Sequence, residues 1–400
     1  GGYFLAMRRS DPVHYDEKLN MWLISRYEDI IEVSRDPVTY SVDHGYNNQQ
    51  AAGFRKEFIE ILERDGGGYF TDAIMTDPPY HTRIRKLMEA AFTAHRVKEL
   101  EPRIEAVVSG LIDEIADKGE CDAVSDFAIP LTIRIIVEQL GLDQGIEHKI
   151  RRWSEAVTAQ IGRMQNREEM LEHAAQICDL QHYLIGKMKE REAEPREDMI
   201  SDLVHAKEGE GEGSTLTFPE AVSLVRATLI AGNDTTATAL GNLIYILATE
   251  PEVLKKLQDS VDDDRLMNRF VEELLRLKPP VRGLSRMTTR EVELNGVTLP
   301  EGAHLLLMYG SANHQDNVFP CPFEFDETRA NVGRHIAFGS GPHRCIGIAL
   351  ARMEIKVAAR EIVRRLSNIQ LKVPAEELTF TPSVATHGFA ALPITFERRT

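Results

Sequence analysis

The chain has 400 residues, with 47 Lys and Arg against 63 Asp and Glu and a formal charge of −16. Apolar residues at 42% and charged residues at 28% exclude a disordered or fibrous protein, and the acidic balance argues against nonspecific nucleic-acid binding. Cys121, Cys178, Cys321 and Cys345 stand far apart, which excludes a disulfide framework or zinc knuckle and suits the cytoplasm.

In chain order, Met21–Ser25 reads as a strand and Ser41–Gly68 as loop. Residues 77–85, Asp-Pro-Pro-Tyr-His-Thr-Arg-Ile-Arg, place His81 and Arg85 four apart on one helix face. Apolar residues at helical spacing predict helices over Pro102–Asp117, Pro130–Leu140 and Ile146–Met164. A long polar-faced helix follows over Glu168–Arg191. Ala206–Ser214 is a flexible acidic link. Thr215–Ala248 is the longest predicted helix, and Thr217 with Glu220 makes a capping box. Pro251–Asp259 and Arg265–Leu277 are helical, the second stopped by Pro279-Pro280. Strands are expected at Val292–Leu294 and Val297–Leu299, joined by an Asn295-Gly296 turn, and at His304–Met308. Helix Ile346–Leu366 and a strand at Leu392–Phe396 complete the chain. No run approaches the roughly 18 apolar residues of a membrane span. Without a fixed-period repeat or a βαβ rhythm, the expected class is mainly α with small β-sheets, not a Rossmann fold. Residues 1–400 are expected to form a single domain whose N-terminus is truncated, since the chain opens at Gly1.

Phe338-Gly339-Ser340-Gly341-Pro342-His343-Arg344-Cys345-Ile346-Gly347 runs into the last helix. Cys345 therefore meets a helix N-terminus, where partial positive charge and free N–H groups favour a thiolate. Glycines there allow close approach of a flat ligand. Alone, such a cysteine could equally be a buried structural thiol beside a turn. Ala231-Gly232-Asn233-Asp234-Thr235-Thr236 lies inside the longest helix and is poorly suited to a helix interior. A Thr hydroxyl can take the carbonyl four residues earlier and open the helix, so a kink without chemistry is the competing reading.

These stretches resemble the cytochrome P-450 family, in matching chain order across nearly the whole sequence. The resemblance implies that family's fold, an α-helical domain plus a smaller β-rich region around a buried haem b. Cys345 would be the iron ligand, with Phe338, Gly339, His343 and Gly347 holding the haem. Asp234 and Thr235 would be the acid–alcohol pair on its distal face, with Gly232 leaving room for dioxygen. His81, Arg85, Arg286 and His343 match positions that contact the haem propionates, anions that need cationic or N–H partners. Glu273 and Arg276, with Arg329, match a buried structural triad on the proximal side. Two departures are Tyr80, where an acidic residue is common, and His314, where Arg is common; the second is expected to alter a local salt bridge and not the chemistry.

The implied activity is monooxygenation: one atom of O2 enters a C–H bond of a mainly apolar small molecule, such as a terpenoid, steroid or fatty acid. Tyr69, Phe70, Ala231, Val281, Leu284 and Val384 are the expected substrate contacts, with core cover the equal alternative for Tyr69 and Phe70. With no flavin or nicotinamide fingerprint, electrons are expected from separate proteins, and the resemblance implies a ferredoxin and its reductase. A locally basic surface of Arg83, Lys86, Arg96, Arg334, His335, Arg344 and Arg352 is expected to receive the ferredoxin. A monomer is expected, without membrane or nucleic-acid partners. The alternatives are a haem-binding sensor or carrier and a peroxide-using enzyme of the same fold, which usually lacks the acid–alcohol pair.

Overall fold

The computed structural model describes residues 2–46, 53–89, 92, 94–160, 165–211, 213–383 and 385–399. Helix Phe218–Thr249 runs through the middle of the molecule. Its start is set by reciprocal bonds: Thr217 Oγ1 accepts from the Glu220 N–H, and the Glu220 carboxylate accepts from the Thr217 N–H at 2.7 Å. Apolar side chains on almost every face require cover on all sides. Around its C-terminal half, helices Glu101–Ala116, Asp264–Leu277 and Ile348–Arg365 close the largest core. Around its N-terminal half, Ile150, Trp153, Leu180 and Leu184 close a second core, from helices Glu147–Thr158 and Arg167–Ala193.

The β structure is peripheral. One sheet runs Val13–Asp16, Met21–Ile24, His304–Leu307, Leu284–Thr288 and Tyr40–Ser41 in spatial order. Only the Met21–Ile24 and His304–Leu307 pair is parallel. Glu120–Asp122, Pro393–Arg398 and Leu366–Leu371 form a second sheet. The expected hairpin pairs Val292–Leu294 with Val297–Leu299, and Asn295 at φ 49° with Gly296 at φ 78° gives the left-handed turn that fits strand twist.

The stretch 41–68, expected to be loop, instead holds helices Val42–Tyr46 and Arg55–Asp65. Phe58 and Leu62, four apart, bury one face of the second, a short amphipathic signal hidden among charges. Helices Gly2–Ser10 and Tyr27–Arg35 were likewise not expected. The predicted helix Ile146–Met164 ends at Thr158, with residues 161–164 outside the described residues. Leu284–Thr288 escaped prediction because Leu-Ser-Arg-Met-Thr has no polar alternation; its Arg286 is buried. No helix of the described residues is long and apolar enough to cross a membrane.

Candidate active site

A cavity of about 310 Å³ separates helix Phe218–Thr249 from the cysteine loop and helix Ile348–Arg365. The loop returns on itself: the Cys345 N–H donates to the Phe338 carbonyl at 3.0 Å. Gly341, at φ +71°, packs so closely on helix Tyr27–Arg35 that a Cβ would stand 2.1 Å from the Ser34 carbonyl oxygen. Cys345 faces the cavity from three residues before helix Ile348–Arg365 begins. Burial pushes its thiol up, and the Gly347 N–H, Arg85 and Arg344 only oppose that shift. The helix-end effect expected from the sequence is present, but desolvation outweighs it. A metal bound to this thiol would deprotonate it outright.

One wall of the cavity is rich in N–H donors. His81, on helix Tyr80–Glu89, is 1% exposed, and neither ring nitrogen has a hydrogen-bond partner. His343 lies against it, ring centroids 4.0 Å apart, with its own Nε2 unpartnered. Burial, then His81, Arg286 and Arg85, push the His343 imidazole down to about 2. Arg85 donates to the Arg344 carbonyl at 2.8 Å and reaches Glu89 at 3.1 Å. Arg286 is buried beside this wall and donates to the Ser285 carbonyl at 2.7 Å, without lining the cavity. Burying this much unused donor capacity is costly unless an anion completes it. A flat ligand with acidic groups at its edge, seated above a soft thiol, fits these residues; haem is such a ligand.

On the opposite wall, Thr235 Oγ1 donates to the Ala231 carbonyl at 2.9 Å, yet the helix continues unbroken through this point. The expected local opening is absent. Asp234 does not line the cavity; burial, with Glu155 adding to it, pushes its carboxyl up to about 6. Next to it, Asn233 accepts from Thr132 at 2.7 Å and donates to Ser154 at 3.1 Å, fixing this turn to two neighbouring helices. Gly232 lines the cavity, but an added Cβ would meet Ile136 Cδ1 at 3.1 Å. Its small size therefore serves helix packing as well as open space.

Beneath the loop, Glu273 takes two bonds from Arg276, at 2.7 and 2.8 Å, and one from Arg329 at 2.9 Å. Arg276 also donates to the carbonyls of Asn313, Pro322 and Glu324. All three side chains are buried, so this charged group acts as a knot for the meander before the loop. His314 donates from Nδ1 to the Gly310 carbonyl at 2.7 Å, and burial holds its imidazole down, at about 4. It stays neutral and joins no ion pair among the described residues, as its substitution for Arg implies. Tyr80 donates to Glu220 at 2.6 Å.

Of the expected substrate contacts, Ala231, Val281 and Leu284 line the cavity. Tyr69 and Phe70 do not. Tyr69 packs on the cluster of Phe58 and Leu62, and Phe70 is 7% exposed within the second core; their loop turns both rings toward neighbouring helices. Val384 lies outside the described residues. Sequence reasoning missed Thr228, Tyr309 and Glu354 in the lining. For Thr228 a signal existed, since it precedes Thr235 by two helical turns on one face.

The basic surface is partly neutralised. Arg83 pairs with Glu220 and Lys86 with Glu208. Arg352 binds Glu272 by two bonds of 2.6 Å, and His335 shares that carboxylate at 3.1 Å. Arg334 lies over the Tyr27 ring. Arg344 enters no ion pair among the described residues, and the Arg96 side chain lies outside them.

The family model for cytochrome P-450 matches residues 47–387. The chain is 33% identical over 403 residues to the mycinamicin IV hydroxylase/epoxidase of Micromonospora griseorubida, covering 98% of this chain and 94% of that protein. It is 31% identical to 6-deoxyerythronolide B hydroxylase of Saccharopolyspora erythraea, covering 93% and 89%. Among solved structures, CYP109E1 of Bacillus megaterium in complex with testosterone superposes with a TM-score of 0.82 at 29% identity, covering 98% of each chain.

Proposed function

The chain belongs to the cytochrome P-450 family, and from that premise we propose that it is a haem-thiolate monooxygenase of a mainly apolar small molecule, supplied with electrons by a ferredoxin and its reductase. The observation that carries the proposal is the meeting, across one cavity, of Cys345 with the unpartnered His81–His343 pair and Thr235. When bound, haem with a thiolate ligand supplies reductive activation of dioxygen for insertion into a C–H bond. Cys345 would ligate the iron, with Phe338, Gly339 and Gly347 shaping the seat around it. His81, Arg85 and His343, which line the cavity, would hold the propionates, with Arg286 adding positive charge from beside that wall. Apolar Ala231, Val281 and Leu284 exclude water from the substrate side.

Asp234 and Thr235 divide the proton work by position. Asp234, its carboxyl pushed up to about 6 and outside the lining, would carry a proton inward from the Glu155 side. Thr235 faces the cavity and would orient the last donor. In the ground state its hydroxyl is already committed to Ala231, so it must turn, or accept a further bond, to act. The relatives named for 6-deoxyerythronolide B and mycinamicin IV, and the neighbour holding testosterone, support bulky, largely apolar substrates bearing some oxygen. Four free cysteines support a cytoplasmic setting.

The test is Cys345→Ser. The parent, reduced under carbon monoxide, should give the red-shifted band of a thiolate-ligated haem, and the variant should not. A band that survives the substitution overturns the reading. A sensor or carrier would consume no reduced nicotinamide when substrate, ferredoxin and reductase are added.

A further inference from the structure

The substrate side of the cavity is apolar apart from three threonines of helix Phe218–Thr249, namely Thr228, Thr235 and Thr236. Thr235 has its hydroxyl bonded to the Ala231 carbonyl. Thr228 differs: it lines the same cavity, it is 7% exposed, and its Oγ1 has no hydrogen-bond partner. The usual outlet for a helical threonine, the carbonyl one turn back, is not used. A buried hydroxyl without a partner is disfavoured by its lost hydration. Threonine exchanges its hydroxyl and methyl by one staggered rotation and populates two rotamers in helices. Turning the Thr228 hydroxyl into the cavity therefore sacrifices no bond.

We propose that Thr228 is a specificity-determining residue that hydrogen-bonds a single oxygen, carbonyl or hydroxyl, on an otherwise apolar substrate. The helix sets a distance as well. Thr228 and Thr235 are seven residues apart, two turns on one face, and so about 10 Å apart along the axis. Since Thr235 marks the level at which oxidation occurs, the preferred substrate carries its oxygen about two helical turns from the carbon that reacts. That separation selects elongated or large cyclic skeletons over compact ones. This inference rests on the haem-thiolate reading above.

The experiment uses the haem-loaded protein and spin-state titration with three matched pairs of probes: androstane and androstan-17-one, cyclododecane and cyclododecanone, dodecane and dodecan-2-one. In the parent, at least one ketone should bind roughly fivefold to tenfold tighter than its hydrocarbon, as one buried hydrogen bond predicts. Thr228→Val keeps the volume and should abolish that preference; Thr228→Ser keeps the hydroxyl and should retain it. Equal binding within every pair by the parent, no binding of any probe, or an unchanged preference in Thr228→Val overturns the proposal. The reduced carbon monoxide band of the parent is recorded first. If it is present while the pairs are not discriminated, the role of Thr228 fails and the haem-thiolate reading stands. If it is absent, both fall.

Discussion

The imidazoles of His81 and His343 lie 4.0 Å apart and tilted by 39°, and both nitrogens of His81 are buried without a hydrogen-bond partner. One comes from helix Tyr80–Glu89 and the other from the cysteine loop, so the contact joins two elements in one wall of the cavity, and His343 Nε2 is unpartnered as well. His81→Phe keeps an aromatic ring and removes the donor. The variant should fold normally and lose haem roughly tenfold faster, in line with a hydrogen bond to a charged group. Transfer of haem to apomyoglobin measures this, and an unchanged rate would mean that His81 only fills space.

Thr235 and Asp234 should separate in their kinetics. Thr235→Ala should consume reductant at a near-parental rate while product falls and hydrogen peroxide is released. Asp234→Asn removes a carboxyl that burial pushes up to about 6 and should slow turnover itself, by about 10²–10⁴-fold. Reductant, product and peroxide are followed together with one accepted substrate. Full coupling in Thr235→Ala would leave its hydroxyl a purely local bond to Ala231.

The Glu273–Arg276–Arg329 knot predicts a stability effect. Glu273→Gln leaves two buried guanidiniums without their carboxylate. Removing one partner from a buried ion pair costs about 3–5 kcal/mol. The urea midpoint should fall sharply, and haem uptake should fall with it as the meander loosens. A midpoint within error of the parent would place the structural weight on the carbonyl bonds of Arg276 and Arg329.

Arg344 is the test of ferredoxin docking, because it lacks the ion pair that ties Arg352 to Glu272. Arg344→Glu should slow reduction of the haem by ferredoxin, and the difference should shrink as salt screens the charges. Substrate titration should be nearly unchanged. Arg352→Glu is the less clean variant, since it also breaks a bidentate contact.

His314 gives a pH dependence. Its imidazole is held at about 4, against 6.5 for a free histidine, so the unfolded chain binds the proton more readily. Stability should therefore decline as pH falls from about 6.5 and level off below about 4. His314→Gln keeps a donor for the Gly310 carbonyl and does not titrate, so part of that decline should disappear from urea midpoints measured across the window. An unaltered slope would assign the acid sensitivity to other groups, such as His387, also held at about 4.

Much of this architecture was legible because its signals are local. Thr217 and Glu220 announced the central helix, Asn295-Gly296 the hairpin, and the glycine-rich run the cysteine loop. What stayed hidden depends on contacts distant in sequence. Leu284–Thr288 becomes a strand because its neighbours Tyr40–Ser41 and His304–Leu307 pair with it. Tyr69 and Phe70 could be read from the sequence as substrate contacts or as core cover, and only the packed helices decide for the core. Spacing alone put Thr228 on one face with Thr235, but its unpartnered hydroxyl is visible only once every nearby acceptor has been placed.

The close fit of Gly341 against Ser34 ties the cysteine loop, near the end of the chain, to helix Tyr27–Arg35, near its beginning. During synthesis the helix emerges early and waits for a partner made some three hundred residues later, a long-range closure of the kind that slows folding. Haem capture must then be a late event, after most of the polypeptide has left the ribosome. Deletion of the first strands and this helix would leave every cavity-lining residue in the chain and still deprive Cys345 of the surface that sets its loop.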